Sequence, residues 1–158
     1  MEERRLFRGY CIQTVPKGET GSLALLLVPA GLLRVLVTGG NRVVGKAFPV
    51  NALTGTLAEF ECGRRDPGAV WFMRSVKPLA PFGDFARDLG LSAFFVYAQE
   101  ILVKFFQEDA AGIYAVYEKA LGLLAAPKGC LPAAVLFTAF AIRCLGIQPE
   151  VTGCVDCG

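Results

Sequence analysis

Residues 56–62 read TLAEFEC, and their alternation is unambiguous: Ala58, Phe60 and Cys62 share one face, Glu59 and Glu61 the other. A period of two marks a half-buried β-strand, because successive side chains point to opposite sides of the pleat. The flanking chain continues in kind. GRRDPG (63–68) supplies a turn and AVWFMRSV (69–76) a returning strand. Upstream, LFRGYCIQTV (6–15) is rich in β-branched and aromatic residues and ends at the turn cluster PKGETG (16–21). SLALLLV (22–28) and LLRVLVT (32–38) flank Pro29-Ala30-Gly31, which suits a hairpin, and GGN (39–41) breaks the chain again.

Five or six short strands in about 75 residues predict a sandwich or small barrel. The count fits a five-stranded Greek-key barrel of the OB type, and pattern alone leaves an SH3-like barrel open. At KPLAPFGD (77–84) the character changes: Pro78 and Pro81 punctuate a boundary, and Asp84 is a ready N-cap. Polar residues then recur near four-residue spacing, from Asp84 and Asp88 through Ser92, Glu100, Lys104 and Glu108, which predicts a helix buried on most sides. A second helix is expected from Asp109 to just before Pro127, with Ile113, Val116, Tyr117, Ala120, Leu121 and Leu124 as its apolar stripe. A third is expected to begin with Pro132 and to end near Gly146. The expected fold class is α+β: an N-terminal OB-fold β-barrel at 1–78 followed by a truncated α-helical domain at 79–158. The three helices should pack on one another and on the barrel.

The 158 residues suit one domain or two small ones, with 54% hydrophobic residues and a mean hydropathy of +0.48 to build a core. Pro29, Arg34, Glu100, Lys104 and Arg143 interrupt the most apolar stretches, so none offers the ~18 clean apolar residues of a membrane span. The opening MEERRLFRGY mixes acids and bases and has no apolar h-region. A soluble, cytoplasmic chain with reduced thiols is expected. Of the six cysteines, Cys11, Cys62 and Cys144 read as small core hydrophobes and Cys130 as a turn residue. The chain has no histidine, which removes Ser-His-Asp and Cys-His catalysis and every His-containing metal site.

Charge is unevenly distributed. Residues 1–78 carry eleven Lys/Arg against six Asp/Glu, whereas residues 79–158 carry five against eight. A basic first half points to a polyanion. Arg34, Arg42, Lys46, Arg64, Arg65, Arg74 and Lys77 fall on strand ends and turns, with Phe48, Phe60, Trp71 and Phe72 among them. Cations that track phosphates beside aromatic faces on which bases stack are what sequence-tolerant single-strand binding requires. The same residues also describe an ordinary solvated face over an aromatic core.

The last residues, TGCVDCG (152–158), carry Cys154 and Cys157 at C-x-x-C spacing. A structural zinc site needs four ligands, so these two are half of one. A thioredoxin-type pair would open a helix in a βαβ unit, which this position does not provide. Half a zinc site and two idle thiols remain as the alternatives.

GYCIQTVPKGETGSLALLLVPAGLLRVLVTGGNR (9–42) resembles the opening of the RecO family of bacterial DNA repair and recombination mediators: a Gly-led strand, a G-E turn, a strand, a turn ending in Gly, and a strand leading into a Gly/basic loop. LFTAFAIRCLGIQPEVTGCVDCG (136–158) is similar to the family's helix ending in LLG-aromatic-x-P and its following C-x-x-C-G, with Ile147 where the aromatic is usual. The resemblance implies an OB fold, a helical domain and a four-cysteine zinc element, of which Cys154 and Cys157 would be the proximal pair. The family's distal pair does not follow, so zinc is expected of a complete chain, and this one is expected to be a truncated or divergent form. It further implies no enzymatic turnover. The implied activity is binding of single- and double-stranded DNA and annealing of strands coated with single-stranded DNA-binding protein, together with action alongside RecR to load RecA. In the Lys/Arg-rich loop of the family this chain has only TGGNRVVGK (38–46), with Arg42 and Lys46 its cations. Thr138 and Phe140 stand where the family often has an acid and an Arg, positions that bear on the pocket for the acidic tail of single-stranded DNA-binding protein. The competing expectation is a module that docks to RecR and does not bind DNA.

Overall fold

Alternate side chains of five strands turn inward and close a barrel. The strands are β1 (Glu3–Lys17), β2 (Gly21–Val28), β3 (Gly31–Thr38), β4 (Leu57–Arg64) and β5 (Trp71–Ala80), in the spatial order β1-β2-β3-β5-β4. They belong to a computed structural model that describes residues 2–19, 21–38, 54–80, 88–106, 112–126 and 128–147. Neighbouring strands run antiparallel except β3 and β5, which pair in parallel through Val35 with Trp71 and Leu36 with Phe72. The expected hairpin forms, with Val28 opposite Gly31 across Pro29-Ala30 and Gly31 at φ 125°. The alternation of TLAEFEC holds: Ala58, Phe60 and Cys62 fill the barrel with Ala24, Leu26, Val35 and Val37. β5 continues through Pro78, which lies opposite Ala58.

The barrel's outer surface is also apolar where β1 and β2 pass under the helices. A bulge between Cys11 and Gln13 breaks the pairing of β1 with β2. Tyr10 and Ile12 on β1, Leu27 on β2 and Leu32 on β3 face outward and are buried there. Gly9 sits at a close approach, where a Cβ would lie 3.0 Å from the Leu27 carbonyl carbon and 2.9 Å from Val28 Cγ1.

Three helices supply the cover: α1 (Leu89–Phe105), α2 (Ile113–Leu124) and α3 (Cys130–Cys144). Phe94, Ala98 and Leu102 of α1, Ile113, Tyr117, Ala120 and Leu121 of α2, and Ala133 and Phe137 of α3 form one core with Tyr10, Ile12, Leu27 and Leu32. Tyr10, Phe94, Tyr117 and Phe137 meet tilted or edge-to-face with centroids 5.2 to 6.2 Å apart. Fully burying such a side chain contributes roughly 1.5–3 kcal/mol, more than any surface ion pair. The chain is therefore a mixed α+β protein, a five-stranded sheet followed by three helices, with a shared core between them.

Several helical expectations need correction. α1 is capped by Asp88, whose Oδ1 accepts the Leu91 N–H at 3.0 Å, while Asp84 lies outside the described residues. α1 buries one face only, against the barrel, α2 and α3, and leaves Leu89 and Val96 exposed. α2 keeps its expected stripe and begins after Gly112, at φ 85°. α3 starts at Cys130, so Pro132 sits within its first turn, and the Cys130 thiol donates to the Gly90 carbonyl at 3.4 Å. Cys11 and Cys62 are core residues as expected, but Cys144 ends α3 exposed. Among the described residues no helix is long and apolar enough to cross a membrane.

Candidate nucleic-acid interface

Barrel closure sorts the basic residues into groups. β3 carries Arg34 on its outer face, exposed, one position from the inward Leu33 and Val35. β4 ends in Arg64, and Arg65 opens the loop to β5. The parallel pairing of β3 with β5 brings that loop back beside the ends of β1 and β2. A cleft of about 420 Å³ results, with Lys17, Arg34 and Arg64 on its walls beside Leu23, Val70 and Trp71. A smaller cleft of about 200 Å³ between the barrel and the end of α1 shares Leu23 and Arg34 with it, and so extends the groove toward Leu102 and Phe106.

Arg65 and Arg74 belong to a second cleft, of about 660 Å³, on the other side of the β4–β5 loop, where Glu2 and Asp66 join them. Lys77 lies in neither group; it is exposed on β5 opposite Glu59. Arg42 and Lys46 lie outside the described residues, as do Cys154 and Cys157. Lys17 was missed by the sequence reading. Its only signal is its place at the edge of the PKGETG turn, and nothing local says that this turn faces residues 68–71.

Ionic partners divide the cations again. Arg64 Nε donates to Glu3 Oε2 at 2.6 Å, and Arg74 Nε and Nη2 donate to Glu2 Oε1 at 3.0 and 2.6 Å. The hydrogen bond from Arg74, with the charges of Arg74, Arg4 and Arg65 behind it, holds the Glu2 carboxyl below its ordinary value against a smaller opposing effect of desolvation. Lys17, Arg34, Arg65 and Lys77 make no ion pair among the described residues.

Phe60 and Trp71, two of the aromatic residues expected to form a stacking platform, face the barrel's core instead. Phe60 is wholly buried and Trp71 is 8% exposed, its ring edge-on to Phe7 at 5.2 Å. Arg64 covers the Trp71 ring and Arg74 the Phe72 ring, each 4.5 Å from guanidinium carbon to centroid. Phe48 lies outside the described residues. The groove is lined by cations and by apolar side chains, Leu23, Val70 and Trp71 among them.

Burial pushes the Cys11 and Cys62 thiols up to about 12, which leaves them protonated and inert. Among the described residues no three Cys, Asp or Glu gather as a metal site would require. Cys154 and Cys157, which would supply two of the four ligands of a structural zinc, lie outside the described residues. No protein-family model matches this chain, and no curated protein matches it.

Proposed function

We propose that the chain is a RecO-like recombinational DNA repair protein whose barrel is an OB fold. It binds single- and double-stranded DNA, anneals complementary strands and, with RecR, helps to load RecA in the cytoplasm. It does so by holding strands together and without catalytic turnover. The observation that carries this function is the convergence of Lys17, Arg34 and Arg64 on one cleft. That cleft lies on the β2–β3 surface between the β1–β2 and β4–β5 loops, where OB barrels bind oligonucleotides. The strand order and the parallel β3–β5 pairing support the same assignment. Each cation that neutralises a phosphate releases a counterion, so affinity falls steeply with salt.

The test is fluorescence anisotropy of a labelled single strand at about 50 and 200 mM salt. The native chain should bind at low salt. The double variant Lys17→Ala, Arg34→Ala should bind at least tenfold more weakly, with a salt slope shallower by about 1.4, at ~0.7 per phosphate contact. Absence of binding by the native chain at low salt removes this function.

A second function has an observation of its own. Leu89 is 85% exposed on α1 and Leu131 72% on α3, apolar surface suited to a protein partner. On that alternative the chain docks to RecR without touching DNA. Co-elution with RecR, weakened by Leu89→Asp or Leu131→Asp, with no oligonucleotide binding, would select it.

A further inference from the structure

Two matched stacks stand at the end of the barrel where β1 begins. Trp71 and Phe72 are consecutive on β5, and each carries a guanidinium over its ring, Arg64 on the first and Arg74 on the second. Glu3 and Glu2 are consecutive at the start of β1, and each takes one of those guanidiniums. The register that closes the barrel, Glu3 opposite Arg64, delivers both carboxylates. The loop between the two clefts contributes Ala69 and Val70 to both, so the stacks flank one short segment.

We propose that Glu2 and Glu3 are built-in competitors at two phosphate contacts, Arg64 in one cleft and Arg74 in the other, and that a nucleic-acid backbone passing over the β4–β5 loop engages both by displacing the two carboxylates. The inference rests on the DNA-binding function proposed above. Carboxylate and phosphate oxygens accept the same charge-assisted N–H bonds, and the planar guanidinium suits either. The ring beneath each guanidinium holds it in place whichever anion it carries, so the site persists when a carboxylate leaves. The Arg64–Glu3 and Arg74–Glu2 pairs are partly exposed, with side-chain accessibilities of 24 and 43% and of 44 and 27%, a setting in which ion pairs are weak and exchangeable. Lys17 and Arg34, which make no ion pair among the described residues, are open to first contact. A strand already held there presents further phosphates at high local concentration, whereas a lone phosphate does not. The carboxylates thereby favour polymeric over monomeric anions.

The test compares single-strand binding by the native chain with the double variant Glu2→Gln, Glu3→Gln and with a charge-matched control, Glu100→Gln, Glu118→Gln, whose changes lie on the helices. The first variant should bind about fivefold more tightly at ~50 mM salt, with a slope steeper by about 1.4, because two more phosphates are neutralised. The control should behave as the native chain. Binding by the native chain that is unchanged in the first variant, or raised equally in the control, overturns the inference and leaves DNA binding standing. Absence of binding by both overturns the inference and the proposed function together.

Discussion

The guanidinium of Arg64 lies over the ring of Trp71, 4.5 Å from its centroid, and the same guanidinium donates to Glu3. Arg64 is therefore part of the fold as well as part of the basic cleft, whereas Arg34, in the same cleft, makes no ion pair among the described residues. Arg64→Ala should lower stability by about 1 kcal/mol through the lost stack and ion pair. Arg34→Ala, at an exposed position, should stay within about 0.5 kcal/mol of the native chain. Urea midpoints followed by the fluorescence of Trp71, the sole tryptophan, would show the difference.

Glu2 should make stability depend on pH in one direction. Its carboxyl titrates below the ordinary 4.5 in the folded chain, chiefly because of the hydrogen bond from Arg74. The folded state thus binds that proton more weakly than the unfolded state does, so the stabilisation is present above the ordinary carboxylate range and is lost as pH falls through the folded value. Glu2→Gln should accordingly lower Tm near neutral pH, and the difference should shrink as the pH falls below the ordinary 4.5 and through the lowered folded value. A difference that persisted in acid would mean that the carboxylate's charge is not what stabilises.

Phe137 links helices to barrel through Phe94 and Tyr117, and Tyr117 in turn meets Tyr10. Phe137→Ala should cost about 3–5 kcal/mol, the usual range for an aromatic truncated in a core. Because both halves share that core, Trp71 fluorescence and helical circular dichroism should report one coincident transition, displaced together in the variant. Separated transitions would show that the helices fold as a unit of their own.

Thiol reactivity should follow burial. Cys144 is exposed at the end of α3, whereas Cys11 and Cys62 are buried with their thiols pushed up to about 12. Native-state alkylation mapped by peptide mass should label Cys144 readily and leave Cys11 and Cys62 unmodified until the chain is denatured. Early labelling of Cys62 would mean that the barrel opens locally.

Gly9 should not accept a side chain. A Cβ would overlap the Leu27 backbone where β1 lies beside β2, and that backbone cannot rotate away as a side-chain end would. Gly9→Ala should destabilise by at least about 1–3 kcal/mol, measurable as a lowered urea midpoint.

Local periodicity was enough to place most of the elements. Ala58, Phe60 and Cys62 alternate with Glu59 and Glu61 because a strand with one buried face must alternate, and the stripe from Ile113 to Leu124 repeats as a helix against a core must. Helix ends were less legible. The sequence pointed to Asp84 as the cap of the first helix, whereas the start of α1 at Leu89 puts Asp88 in that role.

What the sequence determined by itself was therefore the order of strands and helices, the inward face of β4, and the basic character of the first half. Tertiary structure alone decided which charges meet. Glu2 reaches Arg74 across 72 positions and Glu3 reaches Arg64 across 61, while Lys17 comes to face the β4–β5 loop. The physical reason is that side-chain periodicity is a property of each strand, whereas these encounters depend on the register in which β1 closes the barrel against β4. That register is set by packing summed over the whole barrel, and no short stretch of sequence contains it.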